Sequence, residues 1–258
     1  GYYDGDYILY NRFAESIAIH TTKIIGGFDI YFTANAKKFK IIDKNRLNIL
    51  WLYSHPMAYE LDYLNNFDVV AVASPYYLEY LKGKISTKLY LMEEAAQYKI
   101  ESKENKEFDI VHIGNYKNYR KLILMAMDKF KVRIIGIGWP NIKNLTVVPL
   151  EAADIYSKTK IVLDTHHNDM KQLGFMGTRA FEATVCGAVC FTDCLNYAGL
   201  LKDAVVFVDE SNIISTIEQF LKDKALLAMY AEQAKTLGNK LLMSTRVDDF
   251  VNFLTALT

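Results

Sequence analysis

The sequence predicts an α/β protein built from two Rossmann-like halves that face each other across a cleft, the first half reduced in size. Three observations lead there. Short apolar, β-branched runs alternate with longer helical patterns along the whole chain, the signature of parallel βα units. The strand candidates are near-continuous apolar runs, which fits strands covered on both faces. A polar, aperiodic stretch at 99–107 interrupts the alternation once, after which it restarts. A chain of 258 residues suits one large domain or two small ones, and 51% hydrophobic against 23% charged residues supplies ample core material.

In order along the chain, the first half carries predicted strands at 29–32, 48–53, 68–73 and 88–92. Helical patterns lie between or before them at 12–25, 58–65 and 75–82; Ser74 followed by Pro75 is a helix start with a hydroxyl cap and proline at the first helical position. The second half carries strands at 109–113, 132–136, 146–148, 161–164, 188–192 and 204–208. Its helices are expected at 119–130, 150–157 and 178–186, then at about 213–237 with a break, and at 246–257. The division that follows is 1–100, 101–242, and a closing helix within 243–258 that packs back toward the first domain. Ligands of such sheets sit at the carboxyl ends of the strands.

Composition excludes several function classes. Thirty basic residues balance thirty acidic ones, so the chain has no electrostatic footprint for nucleic acid. Cys186, Cys190 and Cys194 are an odd number crowded into nine residues, which reads as buried free thiols in a reducing, cytoplasmic compartment rather than a disulfide framework. No run approaches the roughly 18–20 apolar residues of a membrane span. The opening Gly1-Tyr2-Tyr3-Asp4 lacks a signal-peptide pattern and an initiator Met, as in a trimmed chain or a piece of a longer one. A Walker loop, a Gly-x-Ser-x-Gly elbow, a His-Glu-x-x-His motif and a full dinucleotide fingerprint are absent.

Five loops carry the candidate chemistry. Gly114 and Asn115 follow a strand and precede a helix, where unpaired N–H groups receive an anion; an ordinary tight turn is the alternative. Gly136, Gly138 and Trp139 end the next strand, with the indole placed either against a flat ligand or over a core edge. Gly177 and Thr178 start a helix, and Arg179 lies in its first turn, where a positive charge opposes the helix dipole unless an anion such as a diphosphate binds. Glu182, three residues on, has the reach to accept hydrogen bonds from the two hydroxyls of a ribose; a simple Arg179–Glu182 surface pair is the alternative. His166 and His167 sit at a strand end but point in opposite directions on extended backbone, which argues against a metal site. His55, at the end of the second strand, faces the cleft as a base or sugar contact, or serves structure alone.

The segments Phe108–Arg120, Gly136–Trp139, Ile155–Leu163 and above all Gly177-Thr-Arg179-Ala-Phe181-Glu182-Ala-Thr-Val-Cys186-Gly187 resemble CgeB-like glycosyltransferases of the GT-B group. Weaker echoes are Trp51–Pro56 and Phe67–Ser74, so the resemblance spans roughly 48–200. It implies a GT-B-like fold and transfer of a sugar from a nucleotide-sugar donor to a glycan or other surface-polymer acceptor, as in polysaccharide biosynthesis. It implies retention of stereochemistry, no cofactor and no essential metal. The first domain becomes the acceptor side and the second the donor lobe, with peripheral membrane contact compatible. Carried onto this chain, Gly136, Gly138 and Trp139 receive the base and Glu182 the ribose. Arg179, Gly177 and Thr178 receive the diphosphate with Gly114 and Asn115, while His55, His166 and Arg179 are the catalytic candidates. The chain departs from the pattern at Gly174, where many related retaining enzymes have a second glutamate. Two other readings fit the same loops: a nucleotide-sugar epimerase or hydrolase using Asp193, Glu93 or Glu94, and a non-catalytic nucleotide- or sugar-binding module.

Overall fold

The computed structural model describes residues 27–33, 38–41 and 43–257; the helix expected at 12–25 lies outside them. Two parallel sheets organise the chain. The first holds β1 (Phe28–Phe32), β2 (Leu47–Leu52), β3 (Val69–Val72) and β4 (Lys88–Leu91) in sequential order. The second holds β5 (Phe108–Ile113), β6 (Val132–Ile135), β7 (Thr159–Asp164), β8 (Val189–Thr192) and β9 (Val205–Phe207), in the order β6-β5-β7-β8-β9. The apolar runs do what their composition implies: every residue of β3 and β8 is buried, because helices and loops cover both faces.

The helices are α1 (Leu61–Leu64), α2 (Pro75–Leu81), α3 (Lys121–Lys129), α4 (Pro149–Ser157), α5 (Asn168–Gln172), α6 (Thr178–Val185), α7 (Ile213–Lys222), α8 (Lys224–Leu237) and α9 (Met243–Thr255). Ser74 caps α2 by accepting from Tyr77 N, with Pro75 in the first turn. The expected break in the long C-terminal pattern falls at Asp223, whose carboxylate accepts from Ala225 N and Leu226 N and so restarts the helix. Three expectations are corrected. The helix at 58–65 shrinks to a 3-10 turn at Pro56–Ala58 and the single turn of α1. No strand forms at 146–148; Val148 is instead the residue ahead of α4, its N–H donated to Glu151 Oε2 at 2.9 Å. The polar stretch 99–107 is not a free linker, since Lys103 N and Glu107 N donate to Ser157 O and Lys158 O, and the half-buried Lys106 ammonium donates to Ser102 Oγ and Ser157 O.

Around the second sheet, α4 and α6 pack on one face and α3 and α7 on the other, each pair with its own apolar core. The first sheet's core draws on distant sequence. It takes Met170 and Phe175 from the region around α5, and Met243, Val247, Phe250, Val251 and Leu254 from α9. The seam between the halves is polar as well as apolar. The Ser74 hydroxyl donates to Leu173 O at 2.6 Å, and Tyr77 meets Phe175 at 5.6 Å between ring centroids. Ala96 ties the crossing segment to the stretch before α9 through Ala96 N to Leu241 O and Met243 N to Ala96 O, both 2.8 Å. Among the described residues no helix is long and apolar enough to cross a membrane.

Candidate functional site

The strand order of the second sheet reverses between β5 and β7, so a crevice opens at their carboxyl ends. The turn after β5 places Gly114 there, and the end of β7 places Asp164, Thr165 and His166 opposite it. Two guanidinium groups arrive from different elements. Arg120, just ahead of α3, donates from Nε to Asn115 O at 2.7 Å and from Nη1 to Thr165 Oγ1 at 3.0 Å. Arg179, in the first turn of α6, donates from Nε to Ile113 O at 2.5 Å and pairs through Nη1 with Asp164 Oδ1. A Cβ at Gly114 would lie 2.6 Å from Arg179 Nη2 and 3.2 Å from Arg120 Nη2. Glycine at 114 is therefore what lets both arginines close on the backbone.

The charges here are buried and coupled. Burial and then the neighbouring Arg179 depress the Arg120 pKa to about 10, which still leaves it cationic at neutral pH. Burial opposes the charge of Arg179, but Asp164 outweighs it and raises the pKa further. Asp164 is held well below the usual carboxylate range: desolvation works against its charge, and His166 and Arg179 overcome it. His112, wholly buried, keeps Nδ1 against Leu163 O at 2.8 Å; burial and then the two arginines hold it neutral, and its Nε2 has no hydrogen-bond partner among the described residues.

His166 is the second node. Its Nδ1 lies 2.8 Å from Asp193 Oδ1, and its Nε2 lies 3.1 Å from Asp164 Oδ2 and 3.0 Å from Gly177 N. Burial opposes its charge, yet the two carboxylates raise its pKa to about 9. A proton on Nε2 serves Asp164, whereas a lone pair there serves the Gly177 amide, so the ring exchanges one partner for the other as it titrates. Lys171, from α5, stands 3.5 Å from Asp193 Oδ2. Two carboxylates thus face Arg120, Arg179, Lys171 and a protonatable histidine, and no carboxylate is within ion-pair distance of Arg120 among the described residues.

Several expected roles are placed differently. Trp139 is 4% exposed and donates from its indole N–H to Gly114 O at 2.8 Å, so it covers the core edge and presents no face to a base. Gly136 serves loop packing, because a Cβ there would lie 2.1 Å from Gly114 O. Asn115 clamps the same two loops by accepting from Ile137 N at 2.9 Å, while Gly138, at φ +82, turns the exposed tip. The Thr178 hydroxyl donates to the buried Glu94 at 2.8 Å, which leaves the backbone rather than the hydroxyl to meet an anion. His166 is only 3% exposed, and both its nitrogens face protein groups. His55 is in the left-handed region at φ 50, its ring 4.8 Å from that of His167, which also meets Tyr119 at 4.1 Å, and the Arg120 guanidinium lies over the Tyr119 ring at 5.2 Å. Glu182 is half-buried on α6 close enough to Tyr156 of α4 to raise that phenol's pKa further, after burial has done most of it. Sequence reasoning placed Asp164 and Thr165 in the candidate loop with His166 and His167 but gave neither a role, and it quoted Arg120 without giving it one.

A family model described as glycosyl transferase-like matches residues 120–252. Among solved structures the chain is similar to the GtfA/B complex, at 10% identity and a TM-score of 0.59, covering 83% of this chain and 53% of that one. It is similar to TarM at 13% and 0.61, covering 94% and 58%. It is also similar to AviGT4, a glycosyltransferase involved in avilamycin A biosynthesis, at 12% and 0.56, covering 95% and 79%. The chain therefore spans little more than half the length of the first two. At these identities the likeness is one of fold, and the fold is GT-B. No curated protein matches the chain.

Proposed function

The chain belongs to the glycosyl transferase-like family, and on that premise we propose that it moves a sugar from a nucleotide-sugar donor, held by the second sheet, to a carbohydrate acceptor. The observation that carries this reading is the convergence of Arg120 and Arg179 on Gly114 at the switch point of the sheet, with an ion-paired carboxylate, among the described residues, for Arg179 and not for Arg120. In glycosyl transfer an acceptor hydroxyl oxygen bonds to the anomeric carbon, the electrons of the departing C–O bond settle on the diphosphate, and the hydroxyl proton passes to the departing phosphate oxygen. Fixed cations and helix amides in a water-poor crevice stabilise that charge without having to reorganise. Arg120, the outer edge of Arg179 and the start of α6 have that role here, with Glu182 on the donor ribose.

Asp164 pins Arg179, and His166, held by Asp193, pins Asp164 while its Nε2 carries a proton and the Gly177 amide at the start of α6 when it does not; these are positioning residues. Among the described residues Asp164 and Asp193 face cations, while the buried Glu93 and Glu94 accept from Tyr197 and Thr178, so no dedicated base is assigned, and we take the reaction to retain stereochemistry and to run without a resident metal. The finer likeness to CgeB-like enzymes rests on the Gly177–Gly187 segment. One observation favours a binding module instead: a Cβ at Gly174 would lie 2.6 Å from Asn196 O and 3.2 Å from Ser74 Oγ, so the position of the missing second glutamate is closed by backbone.

The test is a thermal-shift panel of UDP, GDP, CMP, ADP and dTDP on wild type and Glu182→Ala. One nucleotide at about a hundredfold over its dissociation constant is expected to add about 2.7 kcal/mol of stability, and the Glu182→Ala protein is expected to lose the response. A flat panel on wild type sinks the donor-site reading. Selective binding without sugar release or transfer favours the module.

A further inference from the structure

His166 stands between two partners that its Nε2 cannot serve together. The ring is buried, Nδ1 faces Asp193 Oδ1 at 2.8 Å, and the same oxygen accepts from His166 N at 3.0 Å. An ionised carboxylate only accepts, so Nδ1 keeps its hydrogen whether the ring is neutral or charged. Titration therefore changes Nε2, which lies 3.0 Å from Gly177 N and 3.1 Å from Asp164 Oδ2.

Each charge state leaves one polar group over. With Nε2 bare, the Gly177 N–H is satisfied, while the buried Asp164 Oδ2 has no hydrogen-bond partner among the described residues and Oδ1 is taken by Arg179. With Nε2 protonated, Asp164 Oδ2 accepts from the ring and the Gly177 N–H loses its acceptor. A stranded carboxylate oxygen costs more than a stranded amide, so the charged ring is the better-satisfied state. The surrounding charges agree. Asp164 at the end of β7 and Asp193 after β8 draw the proton, and Lys171 of α5 and Arg179 of α6 stand at those carboxylates. His112, held neutral, lies on the far side of Asp164, and Glu94 accepts from the Thr178 hydroxyl at the start of α6. Burial opposes the charge, yet the two carboxylates hold the ring's pKa at about 9. What the charged state still lacks is an acceptor for Gly177 N–H. That amide belongs to the N-cap of the eight-residue α6, whose first turn holds no acidic residue.

We propose that His166 is a proton-linked positioning residue: an anion at the start of α6 binds together with the Nε2 proton, and loss of that proton returns the Gly177 N–H to the ring and releases the anion. By reciprocity, the anion tightens the ring's hold on its proton by the factor with which the proton tightens the anion. The transferase reading supplies only the identity of the anion as a diphosphate; the linkage itself stands on the hydrogen-bond count.

The experiment titrates the full chain with sulfate, a dianion throughout the range, between about pH 7.5 and 10.5, with sodium chloride at matched ionic strength as control. Calorimetry gives the affinity, and nitrogen-15 NMR gives the His166 ring pKa with and without sulfate. Sulfate is expected to raise that pKa, and its affinity to fall about tenfold by one unit above it. Arg120, at about 10, adds a decline of its own, which persists in His166→Gln and so separates from the imidazole step. Asp193→Asn keeps the acceptor and removes one charge, and is expected to move the ring's pKa and the fall in affinity to lower pH together; it serves as the test if His166→Gln does not fold. Sulfate that does not bind, a ring pKa that sulfate leaves in place, or parallel profiles in wild type and His166→Gln overturn the linkage. A nucleotide response at pH 7.5 alongside any of those results leaves the transferase reading standing without it. Proton-linked sulfate binding with no response to any nucleotide upholds the linkage while the transferase reading falls.

Discussion

Asp164 shows how a residue-scale anomaly in sequence becomes an arrangement in space. A cation in the first turn of a helix opposes the dipole, and that made Arg179 conspicuous; the anion inferred for it was a ligand. The structure supplies a carboxylate first, from the end of β7, a partner that no local pattern connects to α6. Replacing one member of a buried pair strands the other, so Asp164→Asn is expected to cost roughly 3–5 kcal/mol in urea unfolding; a loss under about 1 kcal/mol would mean that Arg179 escapes to water. His166 carries a pH signature with a definite sign. Its folded pKa, about 9, lies above the ordinary 6.5, so its stabilisation is complete below about pH 6.5 and is lost as pH climbs through 9. Wild type is expected to lose stability between pH 7 and 10 relative to His166→Gln, measured by denaturant unfolding at each pH. Parallel pH profiles would remove the charged imidazole from the account. Trp139 was legible only as an alternative, since an aromatic after Gly-x-Gly reads equally as a ligand platform or a core cover until its N–H partner is known.

Elements were legible where length and apolar content agreed and obscure where they were short. Both sheets' strands appear within a residue or two of the apolar runs, and in β2, β3, β7 and β8 near-continuous burial leaves an almost unbroken signature. The five residues of α5 are too few to show a helical period, and Val147-Val148 has strand propensity that Pro149 turns into a helix start. Glycine turns, by contrast, signalled close approach correctly but not what approaches. At 136 it is the carbonyl of Gly114, and Gly136→Ala is expected to destabilise by about 1–3 kcal/mol or more through backbone displacement. Gly174 combines φ +70 with a backbone oxygen in the path of any side chain. Gly174→Glu is therefore expected to lower the unfolding temperature without tightening any nucleotide-sugar, by thermal shift and calorimetry. Tighter binding in that variant would show that the Asn196 loop yields and that the site is a lapsed version of the two-glutamate arrangement.

At the scale of the whole molecule, the halves visible in the sequence are not independent bodies. The first core is completed by Met170 and Phe175, from between β7 and α6, and by one face of α9, at the far end of the chain. Sequence reasoning finds the amphipathic stripe of such a helix, but the stripe does not name its partner, which is why α9 could be assigned a direction of packing and not a surface. The consequence is cooperative. The first sheet's core takes part of its apolar cover from Met170 and Phe175 of the second half and from α9, and Ser74, Glu93 and Glu94 make hydrogen bonds across the seam. Unfolding the second sheet therefore removes part of the first sheet's core, so the full chain is expected to melt in a single calorimetric transition whose van't Hoff and calorimetric enthalpies agree. Deleting 243–258 tests the same linkage from the other side. Leu254, Val251, Phe250 and Val247 leave a cavity in the first core, while the cores around β5–β9 lose nothing. In hydrogen exchange the truncated chain is expected to lose protection in β1–β4 and to keep it in β5–β9. Two resolved transitions in the full chain, or unchanged protection after truncation, would mean that each half folds alone and that the crevice at β5 and β7 is built without help from the first sheet.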